Sequence, residues 1–142
     1  MIGRILLAVD DSAPSIAATR VAVALAAALG ARLRAVTVVA GEVPPGPGPG
    51  SDRGRADSSA AVLRHVGRAA ARSGIAAEGV ALTGRPAMVI LDQAAAWSAD
   101  LIVVGRSARR GPAAHLGSQA LQLLEFAEVP VLVVPYARAR VP

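Results

Sequence analysis

Short unbroken apolar runs alternate with longer alanine-rich stretches along this chain. Ile5 to Val9 reads Ile-Leu-Leu-Ala-Val and stops at Asp10-Asp11-Ser12. A run that is apolar at every residue predicts a strand buried on both faces of a parallel sheet. Leu33 to Ala40, Glu78 to Thr83, Leu101 to Val104 and Val131 to Val134 give four further strands. In Glu78 to Thr83, Val80 and Leu82 share one face. Pro130 and Pro135 bracket the last run, which suits an edge strand. An apolar edge left open invites pairing with another chain.

The stretches between them predict helices. Ser12 is a good N-cap for the first, Pro14 fits its first turn, and Gly30 is placed to stop it after Leu29. Arg20 belongs to its solvated side. Asp57 caps a second helix from Ser58 to about Ser73, with Val62, Leu63, Val66 and Ala70 as its apolar stripe. Arg64, Arg68 and Arg72 form a solvated row on another face. A turn at Gly84-Arg85 leads to a third helix with Pro86 at its first position, although Arg85 is a poor cap. Met88, Leu91, Ala94 and Ala95 are expected to face the core, Asp92 and Gln93 to face water, and Trp97 to pack. The fourth helix runs from Ser118 to about Phe126.

Gly41 to Asp57, centred on Pro-Pro-Gly-Pro-Gly-Pro-Gly-Ser, excludes a helix or a central strand and predicts a long mobile loop. Its Gly46, Gly48 and Gly50 lack the strand-turn-helix context of a dinucleotide fingerprint. The basic tail, 136–142, is expected to fray. The order βαβαβαβαβ predicts one α/β domain over 1–142, with a parallel sheet and right-handed crossovers. Such sheets reverse their winding once. A reversal between strands one and four sets Asp10 beside Gly105 at strand carboxyl ends, where open α/β sheets bind ligands.

Composition narrows the chemistry. The 142 residues suffice for one core, and at 54% hydrophobic but 2% aromatic that core must be Ala, Val, Leu and Ile. Every basic residue is Arg. Without Lys there is no Walker-type phosphate loop and no Schiff-base lysine. Without Cys there is no disulfide, thiolate nucleophile or thiolate metal site, which fits a reducing compartment. Ile5 to Val9 is too short for a signal sequence, and the longest apolar run, Val21 to Ala31, falls short of the roughly 20 residues that span a bilayer. A cytoplasmic protein with no membrane role is expected. A net charge of +5 raises nucleic acid as a partner. The arginines are dispersed, however, and aromatic residues to stack bases are nearly absent, so nucleic acid is a poor fit. His65 shares metal spacing with no second ligand.

The most informative stretch is Leu101 to Ser118, where an apolar strand runs into a small, basic, glycine-bearing loop. Gly105 lets the backbone turn or approach a ligand closely. Ser118 and Gln119 offer N–H groups at a helix start, which favours an anion. Arg106, Arg109 and Arg110 add positive charge. The simplest use of this arrangement is to hold a phosphate, with Asp10 accepting hydrogen bonds from a ribose or base.

Ile5-Leu-Leu-Ala-Val-Asp-Asp-Ser12, Gly84-Arg-Pro-Ala87, Ala99-Asp-Leu-Ile-Val-Val-Gly105, Gly117-Ser118 and Val129-Pro-Val-Leu-Val-Val-Pro135 occur in order along the chain. In that order and spacing they resemble the universal stress protein family over nearly its whole length. The resemblance implies a five-stranded Rossmann-like parallel sheet, order 3-2-1-4-5, with helices on both faces. It also implies a homodimer through strand five, Val131, Leu132, Val133 and Val134. Many members bind ATP through the pattern G-x2-G-x9-G-[ST]; others have lost the pattern and do not. Carried over, Ala8 and Asp10 border the adenosine, and Val38 meets the adenine through its backbone. Gly105, Gly117 and Ser118 hold the phosphates. Two positions depart from the pattern. Ala108 stands where it has its second glycine, and the spacer Arg109 to Leu116 is one residue short. An added Cβ can block close approach to a phosphate, whereas Arg106, Arg109 and Arg110 can supply charge-assisted bonds.

Three functions follow as alternatives. The first is a regulatory module in the stress response that binds ATP or a related adenine nucleotide. The second is a dimeric interaction module that binds no nucleotide. The third is a slow ATPase, for which Asp10-Asp11 could hold a magnesium ion. Catalysis has little else behind it, since there is no G-x-S-x-G elbow and no histidine pair.

Overall fold

The computed structural model describes residues 1–39, 52–106 and 118–136. Its elements are β1 (Arg4–Ala8), α1 (Ala13–Leu29), β2 (Arg32–Val39), α2 (Asp52–Arg72), β3 (Ala77–Thr83), α3 (Pro86–Trp97), β4 (Leu101–Gly105), α4 (Ser118–Phe126) and β5 (Val131–Val134). All strand pairs are parallel, in the order β3-β2-β1-β4-β5. The winding therefore reverses between β1 and β4, which pair from Ile5↔Leu101 to Ala8↔Val104.

Because strand side chains alternate between faces, the unbroken apolar runs feed two cores. Ile5, Leu7, Leu33 and Val103 pack against Ala18, Ala22 and Ala26 of α1 and Val66 and Ala70 of α2. Leu6, Val36 and Ile102 pack on the other side against Ala87, Ile90, Ala94 and Trp97 of α3 and Leu123 of α4. Alanine on the inner face of α1 brings helix and sheet close, which suits a chain poor in aromatics. No helix among the described residues is long and apolar enough to cross a membrane.

Several expectations need correction. The second helix begins at Asp52, not Ser58, so part of the stretch read as loop is helical and Asp57 is no cap. The helix starts as soon as the Pro/Gly block ends, and a single glycine at 54 does not prevent it. Residues 40–51 and the tail beyond Tyr136 lie outside the described residues. In α3, Met88 is 56% exposed and Ala95 faces outward, while Ala87, Ile90 and Trp97 are buried. Pro86 to Leu91 is apolar all round, so periodicity could not choose a face. Ser12 sits at the N-cap position of α1 with extended backbone, but its hydroxyl makes no cap bond. It donates to Asp10 instead.

At the amino end of the sheet, polar groups close on one another. The Asp100 carboxylate accepts the N–H groups of Gly3 and Arg4 at 2.8 and 2.9 Å. Those two bonds hold its carboxyl below the ordinary value. Glu78 pairs with Arg34 at 2.7 Å and Arg32 at 2.9 Å, and its carboxyl is lowered by Arg34 first and then Arg32. The Arg34 guanidinium lies 4.9 Å from the ring centre of buried Trp97, whose carbonyl accepts from Arg4 Nη1 at 2.9 Å.

Candidate functional site

Where β1 and β4 end side by side, α1 and α4 begin on opposite faces of the sheet. The gap between them is a crevice of about 420 Å³, within the range of small-molecule sites. Ala8, Asp10, Val38, Gly105, Arg106, Ser118 and Gln119, all singled out in the sequence, line it together. Ala108 and Gly117 lie outside the described residues. Ser12, Pro14, Ser15, Val36, Pro86 and Ile90 also line it and were not foreseen. Ile90 follows Pro86 by one helical turn, the single pattern that could have revealed it.

The floor and one wall are apolar, built from Ala8, Val36, Val38, Val104 and Ile90. The rim is polar. Asp10 lies two residues beyond the end of β1 and is exposed. Its Oδ1 accepts from the Ser12 N–H at 2.8 Å, the Ser15 hydroxyl at 2.9 Å and the Ser12 hydroxyl. Ser15 Oγ in turn accepts the Asp10 N–H at 2.8 Å.

Opposite stands Arg106. Its N–H donates to the Val134 carbonyl at 2.7 Å, anchoring the chain as it leaves β4. Its side-chain Nε is buried and has no hydrogen-bond partner, the one such side-chain atom among the described residues. A buried guanidinium N–H left unmatched is costly, so this atom has capacity for an acceptor that enters the crevice. Ser118 and Gln119 open α4 at the same rim, where the first backbone N–H groups of a helix lack intrahelical partners. Gln119 also reaches across the crevice wall, where its Oε1 accepts the Ala87 N–H of α3 at 2.9 Å. It thereby supplies the cap that Arg85 does not, since Arg85 makes no side-chain cap bond.

Gly105 serves a purpose that the sequence did not reveal. A Cβ there would lie 2.6 Å from the Pro14 carbonyl oxygen and 2.8 Å from the Pro14 Cβ. The glycine lets the first turn of α1 press against the end of β4, and this packing shapes the crevice. His65 and Asp11 line a smaller cavity of about 210 Å³ between α1 and α2. Among the described residues no three His, Cys, Asp or Glu side chains are grouped to hold a metal ion.

The family model for the universal stress protein family matches residues 1–135. Universal stress protein UspA from Lactobacillus plantarum superposes with a TM-score of 0.81 at 26% identity, over 94% of this chain and 97% of that one. A universal stress protein family member from Burkholderia pseudomallei is 30% identical, with a TM-score of 0.74 over 95% and 97% of the two chains. The universal stress protein from Archaeoglobus fulgidus in complex with dAMP is 25% identical, with a TM-score of 0.71 over 94% and 99%. None of the curated proteins is similar in sequence. A family match over residues 1–135, with a five-stranded parallel sheet in the order expected of that fold, places the chain: it belongs to the universal stress protein family.

Proposed function

We propose that the crevice binds an adenine mononucleotide, ATP or a close relative, and that the chain is a nucleotide-responsive regulatory module of the cytoplasmic stress response. The observation that carries this reading is the pairing of an apolar slot with two polar ends of opposite preference. Val36, Val38, Ala8 and Ile90 suit the faces of a flat base. Asp10, an acceptor when ionised, suits a ribose hydroxyl or an amino group. Arg106 Nε and the α4 N–H groups at Ser118 and Gln119 suit phosphate oxygens. The dAMP held by the A. fulgidus relative supports the same ligand class. Gly105, Ala108 and Gly117 then belong to the phosphate loop, with Arg109 and Arg110 offsetting the loss of a glycine at 108. The test is the nucleotide content of gently purified protein, denatured and chromatographed. Stoichiometric adenine nucleotide supports the reading. An empty protein that also gains no thermal stability from millimolar ATP overturns it.

A second reading has its own observation. β5 ends the sheet, and its outer edge pairs with no strand among the described residues. Leu132 on that strand and Leu121, Leu124 and Phe126 on α4 are exposed. Such an edge suits a homodimer through Val131, Leu132, Val133 and Val134, and the dimer is then the functional unit whether or not nucleotide is bound. Sedimentation tests it: a dimer that persists without nucleotide supports this reading, and a strict monomer overturns it.

A further inference from the structure

Asp10 is exposed, yet its carboxylate is not free to turn. Three donors converge on one oxygen, Oδ1: the Ser12 N–H, the Ser12 hydroxyl and the Ser15 hydroxyl. Three donors saturate a carboxylate oxygen. No donor among the described residues reaches Oδ2. The two serines differ in kind. Ser12 is part of the turn itself and is half-buried. Ser15 is one helical turn further on and 7% exposed. Its hydroxyl is used in both directions, accepting the Asp10 N–H at 2.8 Å and donating to Asp10 Oδ1 at 2.9 Å. It therefore grips the backbone and the side chain of the same residue. A rotation of the carboxylate breaks one bond, and a shift of the backbone breaks the other. Ser15 is itself fixed, because its carbonyl accepts the Thr19 hydroxyl at 2.7 Å inside α1.

We propose that Ser15 is the positioning residue of the crevice. From the buried first turn of α1 it holds Asp10 with Oδ1 satisfied and Oδ2 alone presented to a ligand donor. The inference rests on the adenine-nucleotide reading and goes beyond it. Recognition of the ribose then depends on a serine set back from the rim, because a preorganised acceptor binds a hydroxyl more tightly than one that must first be ordered.

The probes are AMP and 2′,3′-dideoxy-AMP, which lacks both ribose donors, titrated into the wild-type protein and Ser15→Ala. The wild type is expected to prefer AMP by about tenfold, the effect of one hydrogen bond to a charged acceptor. Ser15→Ala is expected to reduce that preference to less than about threefold while binding of the dideoxy compound hardly changes. A merely structural role would weaken both ligands equally. A ligand-independent readout accompanies it: hydrogen exchange at the Asp10 amide should quicken about tenfold in Ser15→Ala, because its acceptor is gone. Ser15→Ala that keeps the full preference for AMP, or leaves the Asp10 amide protected, overturns the role of Ser15 and leaves the nucleotide reading standing. A wild-type protein that binds neither compound overturns the nucleotide reading, and the ribose selectivity assigned to Ser15 falls with it.

Discussion

The two ends of the sheet use similar residues to opposite effect. At the amino end, Arg4, Arg34, Glu78, Asp100 and Trp97 consume one another: each carboxylate has its donors, and Arg34 is both paired and stacked. At the carboxyl end, Arg106 keeps a buried Nε that no described residue accepts from, beside the apolar slot that Asp10 rims. Charge alone does not mark a site. Unused hydrogen-bonding capacity beside an apolar slot does, because buried polar groups are otherwise satisfied. The amino end is accordingly a fastening, and the carboxyl end is where the proposed ligand site lies.

This contrast breaks if the two ends respond alike to substitution. Trp97→Ala should have the largest effect. It empties a buried site under two guanidinium groups and should cost about 3–5 kcal/mol in denaturant unfolding, while the protein that remains folded binds nucleotide as before. Gly105→Ala comes next and should act on both properties. Its Cβ meets the Pro14 backbone, so about 2 kcal/mol of stability and most nucleotide affinity should be lost together. Arg106→Ala should separate them. Removing the guanidinium that carries the unmatched Nε should lower ATP affinity about tenfold with the melting temperature unchanged or slightly raised.

The smallest effect concerns pH. Asp100 has its carboxyl lowered by the Gly3 and Arg4 N–H groups, so the unfolded chain takes up its proton more readily than the folded one. Its contribution is fully present above the unfolded value and lost as pH falls through the folded one, below about pH 4. Asp100→Asn should flatten the acid limb of a stability-against-pH curve without altering nucleotide binding at neutral pH. An unchanged acid limb would show that the clamp is not responsible.

Much of this was legible in the sequence, for physical reasons. Val131 to Val134 and Ser118 to Phe126 fall where the sequence puts them, because prolines bracket one and a glycine-serine step opens the other. Seven predicted site residues share one crevice because parallel topology forces strand carboxyl ends together. What was illegible depends on contacts distant in the chain. Gln119 caps α3 from 32 residues away. Gly105 is a glycine on account of Pro14. Ser15 is close to Asp10 in the chain, but nothing in the residue pattern tells that the first turn of α1 aims its hydroxyl back at Asp10. Met88 and Ile90 could not be told apart where every neighbour was apolar.

The most direct test is calorimetric titration of ATP into the wild-type protein stripped of bound nucleotide. Saturable heat at a single site, reduced in Asp10→Ala and Arg106→Ala while both variants stay folded, is the result expected if the carboxyl end is a nucleotide site. No heat and no thermal stabilisation at millimolar ATP would contradict it and leave the β5 edge as the working surface of the molecule.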